Sequence, residues 1–60
     1  MKYQLTSESI MHFGVKLYRI EATATFGRVT TGDLGGFVAG EKNLSHDGDA
    51  WVYGNAKVYK

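Results

Sequence analysis

Gly48-Asp49-Ala50-Trp51-Val52-Tyr53 is followed at once by Gly54-Asn55-Ala56-Lys57-Val58-Tyr59, so one six-residue phrase, Gly-Asp/Asn-Ala-x-Val-Tyr, is written twice. A period of six belongs to parallel β-helices, in which each short strand packs on the strand one coil away. A coil at the end of such a stack leaves a backbone edge unpaired, and natural sheets rarely leave an edge open. The repeat therefore predicts a fold and, at its end, a surface for a partner.

Extended upstream, the period defines two inward ladders. One runs Leu34-Gly40-His46-Val52-Val58, the other Val38-Leu44-Ala50-Ala56. The second is apolar throughout and its side chains shrink toward the C-terminus, as a tapering core requires. Gly40 and His46 interrupt the first. With Val52 and Val58 inward, alternation along a strand turns Trp51, Tyr53 and Tyr59 outward.

Before the repeats the period changes to two. Tyr18, Ile20, Ala22, Ala24 and Phe26 alternate with Arg19, Glu21, Thr23 and Thr25, which predicts a half-buried strand over residues 18–26. Residues 2–5 suit a short first strand. Thr6-Ser7-Glu8-Ser9, with Ile10, Met11 and Phe13 behind it, reads as a turn or one helical turn before Gly14. Gly32-Asp33 reads as a tight turn, and Gly35-Gly36 as a corner with positive φ or close backbone approach. The expectation is one all-β domain, residues 1–60. Strands in residues 1–31 would cap one to two coils of left-handed parallel β-helix in residues 32–60.

Sixty residues without proline or cysteine bury only about 60% of the surface that the unfolded chain exposes, and no disulfide compensates. Self-association is the remaining route to stability. We expect a homodimer that closes the C-terminal coil over residues 51–59. Seven Lys and Arg oppose six Asp and Glu. The basic residues Lys2, Lys16, Arg19, Arg28, Lys42, Lys57 and Lys60 are scattered, so nucleic acid is not an expected partner. No apolar stretch has the length of a signal-peptide core or a membrane span, which makes the cytoplasm the expected site and excludes the membrane as a partner.

The chemistry-bearing residues do not assemble into a catalytic set. His46 lies between Ser45 and Asp47, but adjacent residues of an extended chain point to opposite faces and form no relay. His12 stands alone between Met11 and Phe13. Asp47, Asp49 and Asn55 are oxygen donors, yet the nonapeptide spacing of calcium-binding β-rolls is missing and turn positions account for them. Asn43-Leu44-Ser45 matches a glycosylation sequon without a secretory context. Gly35-Gly36 lacks the Lys-Ser/Thr of a phosphate loop. No catalytic residue, cofactor or metal is expected.

The run Gly32-Asp33-Leu34-Gly35-Gly36-Phe37-Val38, then Glu41-Lys42-Asn43-Leu44-Ser45, then the phrase from Gly48 to Ala56, resembles the opening of a group of phage and prophage hexapeptide-repeat proteins. Leu17-Tyr18-Arg19-Ile20 is similar too. Longer members continue the phrase through many coils of left-handed β-helix. The resemblance implies that fold and a phage origin, and it brings no established catalytic residue. It leads to the expectation of a small phage-encoded interaction module. Such a module would inhibit a host defence protein stoichiometrically in the host cytoplasm, with a CRISPR effector as the most concrete target. The expected binding surface is Trp51, Tyr53 and Tyr59, oriented by Lys57 and Asp49, since Trp and Tyr dominate binding hot spots. The alternative is a structural cap or remnant of a β-helical phage protein.

Overall fold

Phe13 and Gly14 both take positive φ, 51° and 79°, and reverse the chain in a two-residue hairpin loop of the kind whose twist matches the flanking strands. The loop joins β1 (Tyr3–His12) to β2 (Val15–Ala22). β2 pairs antiparallel with β3 (Leu34–Val38), and β3 pairs parallel with the two-residue β4 (Lys57–Val58), giving one sheet in the order β1-β2-β3-β4. A single 3₁₀ turn, Glu41–Asn43, sits between β3 and β4. The chain is all-β. These features come from a computed structural model that describes residues 2–59; Met1 and Lys60, the ends of the expected 1–60 span, lie outside the described residues.

Two expectations about the N-terminal half are corrected. Residues 6–12 form neither turn nor helix but continue β1, because pairing with β2 supplies backbone partners that the polar run Thr6-Ser7-Glu8-Ser9 does not advertise. Register shifts by two residues between Leu5 and Ser9, where the Thr6 hydroxyl accepts the Glu8 N–H at 3.2 Å and donates to the Arg19 carbonyl at 2.9 Å. An even shift keeps the faces in phase, so Tyr3, Leu5, Ser9 and Met11 share one face and Gln4, Glu8, Ile10 and His12 the other. β2 also stops at Ala22, short of Phe26. Beyond it Phe26 and Val29 exchange backbone hydrogen bonds across Gly27, whose φ of 51° closes the turn.

The core lies on the first face: Tyr3, Ile20, Val38, Leu44 and Val52, with Leu5, Trp51 and Val58 packed against it. Four ladder positions, Val38, Leu44, Val52 and Val58, thus face inward as expected. The ladders fail at three others. Leu34 is 58% exposed, and Ala50 and Ala56 face solvent. The double glycine explains part of this. The Gly36 N–H bonds the Val52 carbonyl at 2.7 Å and the Phe37 N–H bonds the Ala56 carbonyl at 2.9 Å. A Cβ on Gly36 would sit 2.4 Å from that Ala56 oxygen, so the second phrase packs its backbone, not its alanine methyl, against the sheet. Gly35-Gly36 is thus a place of close backbone approach, without positive φ.

Phe37 pairs with Lys57, and Val38 with Val58, twenty positions later (57 less 37). A coil of three six-residue phrases would span about 18 residues; the segment between β3 and β4 holds the 3₁₀ turn Glu41–Asn43 and no further strand among the described residues. The chain crosses over the first face between β3 and β4 and closes the core there.

Candidate functional site

The two copies of the phrase begin alike and then diverge. Gly48 and Gly54 each have positive φ, 71° and 57°, so the first residue of each copy is a left-handed turn that L side chains disfavour. Val52 is buried and Val58 half-buried in the equivalent slots; Tyr53 and Tyr59 are exposed in theirs. The residues between part company because the copies meet different neighbours.

The first copy packs against the start of the chain. Trp51 makes edge-on contacts with Tyr3 (6.4 Å) and Phe26 (5.5 Å) and lies over Gly35, and Asp49 sits against Gly27. The Lys2 ammonium donates to the carbonyls of Ala50 (2.7 Å) and Gly48 (3.1 Å) and lies 4.7 Å from the centre of the Phe26 ring. Lys2 is 6% exposed, so these oxygens replace the water its charge has lost.

The second copy packs over the other face of the sheet. Arg19 lies 4.3 Å from the Phe37 ring centre and donates to the carbonyls of Gly35 (2.6 Å) and Gly54 (3.5 Å), to Asn55 Oδ1 (3.2 Å) and to Glu8 Oε2 (3.0 Å). One guanidinium thus ties β1, β2, β3 and the 53–56 turn together, which the fixed fork of Arg suits better than Lys. That turn is closed by the Ala56 N–H on the Tyr53 carbonyl at 3.1 Å. Tyr53 is 61% exposed at its start. Lys57 follows, exposed, its ammonium 3.2 Å from the Asn55 carbonyl. Tyr59 then reaches His12, ring centres 5.0 Å apart.

The expected five-residue surface is therefore split. Trp51 does not point outward, because it packs on the core beside Tyr3 at the beginning of β1. Tyr59 meets His12 at the end of that strand, roughly 30 Å away at 3.3 Å per residue. Tyr53 stands at the start of the 53–56 turn two residues beyond Trp51, Lys57 pairs with Phe37 in β4, and Asp49 sits against Gly27. Alternation in the sequence gave the parity of the valines and tyrosines but not the neighbour that captures the indole. Leu34 was placed inward, yet it lies exposed just before the double glycine that packs on Val52, next to which Tyr53 stands.

His46 is held in a structural role. Its ring stacks on Tyr3 at 4.1 Å and 8°, Nδ1 accepts the Lys2 backbone N–H at 3.4 Å, and Nε2 meets Glu41 Oε1 at 3.1 Å. Accepting at Nδ1 leaves Nε2 to carry the proton toward the carboxylate. Ser45 Oγ accepts the Asp47 N–H at 3.0 Å, a local turn and no relay. Among the described residues there is no cavity and no group of three His, Asp or Glu able to hold a metal. No helix of the described residues is long and apolar enough to cross a membrane.

Tyr3 is fully buried, and its hydroxyl lies 2.6 Å from the Leu44 carbonyl and 3.0 Å from that of Glu41. Burial raises its pKa above 10.0, and the Glu41 charge raises it further. A group whose pKa is higher folded than unfolded gives stability that is complete below the unfolded value and drains away as pH rises past it. Urea midpoints should accordingly fall above pH 10.0. In Tyr3→Phe the slope should flatten while stability at neutral pH drops by about 1–2 kcal/mol, because the carbonyls lose their donor. An unchanged alkaline slope would remove Tyr3 from that role.

Comparison of the chain with protein-family models, with curated proteins and with solved structures finds no match.

Proposed function

We propose that this protein is a small interaction module that acts by stoichiometric binding to another protein, without turnover. The observation that carries the reading is Tyr53, a large ring held 61% exposed on a turn that Arg19 locks to the sheet from below. A ring presented rigidly spends little conformational entropy on binding, and Tyr is among the residues enriched at hot spots. Leu34, Lys57 and Tyr59 complete the surface, Trp51 supports it from the core, and Asp49 lies outside it. The fitting partner carries an apolar pocket for Tyr53 and an acidic rim for Lys57. The motif resemblance makes a phage-encoded inhibitor of a host CRISPR effector, acting in the cytoplasm, the most concrete form.

The parallel return of β4 onto β3 favours a second reading, the opening coil of a left-handed β-helix that serves as a structural cap. Titration against purified CRISPR effector complexes separates the two. Tyr53→Ala combined with Leu34→Ala should weaken binding at least about 30-fold, the factor that corresponds to a hot-spot loss of 2 kcal/mol, with the circular dichroism spectrum unchanged. No binding by the parent chain, or full binding by the folded double variant, would remove the inhibitor reading at this surface.

A further inference from the structure

β1 is the outermost strand of the sheet, and it is ten residues long where the opposite edge, β4, has two. The first residues of β1 are covered. The Lys2 N–H bonds His46, and Tyr3 and Leu5 belong to the core and its border. Past the register shift, Ser9 and Met11 are exposed, Ile10 and His12 half-exposed, and no proline or lysine interrupts residues 8–12. Proteins usually blunt a free edge with such residues or keep it very short, as β4 is. Phe13 at the hairpin tip is 87% exposed and Met11 68%, so apolar side chains are concentrated along this same free edge.

The polar side chains on this stretch are complementary to themselves, a carboxylate acceptor at Glu8 and an imidazole N–H at His12. If a second copy pairs antiparallel about a two-fold axis at Ile10, position 8 opposes position 12, so Glu8 of each chain faces His12 of the other. Both side chains lie on the face that carries Ile10, and Arg19 already holds Glu8 through Oε2. The two Ile10 side chains meet at the axis beside Leu17, which pairs with Ile10 and is fully buried. On the opposite face Ser9 meets Met11, a small residue against a long one. Phe13 of each copy falls opposite Ser7 of the other. A one-residue slip would oppose Glu8 to Met11 and lose both Glu8–His12 pairs.

We propose that the second copy in the homodimer docks on β1, through residues 8–12 about Ile10, and joins two sheets into one of eight strands. Tyr59, part of the binding surface proposed above, touches this stretch through His12 at 5.0 Å, so the test is placed at Ile10, which lies outside that surface.

The chain contains no cysteine, so a single introduced thiol reports on its own position. Side chains opposite one another in an antiparallel pair have Cβ atoms about 4.5–5.5 Å apart, the range a disulfide spans with slight adjustment. Light scattering of the unmodified protein at about 100 µM, a concentration suited to a small interface, should give twice 6.6 kDa. Mild oxidation of Ile10→Cys should give a disulfide-linked dimer in high yield, and Asp47→Cys should give little. Ile10→Lys, which sets like charges on the axis, should shift the mass to that of a monomer while the spectrum stays folded. A monomeric parent chain overturns the proposal. So does a dimer in which Tyr59→Cys cross-links and Ile10→Cys does not, the outcome expected of C-terminal closure.

Discussion

Replacing Gly36 with alanine should leave most of the protein unfolded. A Cβ at this position would lie 2.4 Å from the Ala56 carbonyl oxygen and 2.5 Å from Val52 Cγ1. The first obstacle is backbone, and it cannot swing aside without breaking the bonds from Gly36 and Phe37 to the returning chain. Overpacking by a single group typically costs about 1–3 kcal/mol, and losing those two backbone bonds adds to it. A core of this size rarely supplies more than about 3–5 kcal/mol in total. The sum reaches the whole stability. Urea titration followed by the fluorescence of Trp51, the single tryptophan, should show no folded baseline for Gly36→Ala. A midpoint within a few tenths of molar of the parent would show that the second phrase does not approach the sheet this closely. Gly32→Ala is the contrasting case, because nothing crowds that Cβ and only its φ of 94° is at stake.

Val52→Asp should be as damaging for a different reason. Val52 is 7% exposed among Tyr3, Ile20, Val38 and Leu44, and its carbonyl receives the Gly36 N–H. Truncation to alanine removes about two methyl-sized groups, near 1.5 kcal/mol at 0.8 kcal/mol each, and should leave a folded protein with a lowered midpoint. The aspartate adds a carboxylate that must be desolvated or protonated, a penalty of several kcal/mol. Because protonation relieves it, Val52→Asp should regain structure as pH falls below about 4, the ordinary carboxylate range. Circular dichroism between pH 3 and 7, set beside Val52→Ala, separates lost packing from buried charge. Equal stability of the two variants would place Val52 at the surface.

What the residues disclosed in advance follows the reach of each signal. The six-residue period located the paired valines and exposed tyrosines, since those depend on alternation alone. The all-β character and the core face of β2, Tyr18, Ile20 and Ala22, followed from a period of two. The hairpin was hidden because Phe13-Gly14 carries none of the Asn-Gly or Asp-Gly chemistry that announces such turns. Phe13 accepts an unfavourable left-handed φ because pairing on both sides imposes it. Trp51 was misplaced because alternation says which way a side chain leaves the backbone, not what waits there. The indole leaves the strand and meets Tyr3 and Phe26, which come from the far end of the chain. The Arg19 hub was equally illegible. Nothing near Arg19 in sequence shows that Gly35, Gly54 and Asn55 converge on its guanidinium.

The grip of Lys2 on the carbonyls of Gly48 and Ala50 has a consequence for how the molecule is made. Its partners stand 46 and 48 residues further along. A β-hairpin forms in about 1–10 µs, so β1 and β2 can pair soon after both have left the ribosome. At about 5–20 residues per second, the chain that carries Trp51, Val52 and Val58 is completed roughly two to seven seconds later. For that interval Tyr3, Leu5 and Ile20 lie bare on one side of a finished hairpin, and Lys2 has no oxygens to hold. An isolated two-stranded hairpin is only marginally stable in water, so this one opens and closes until the last third of the sequence arrives to cover its apolar side.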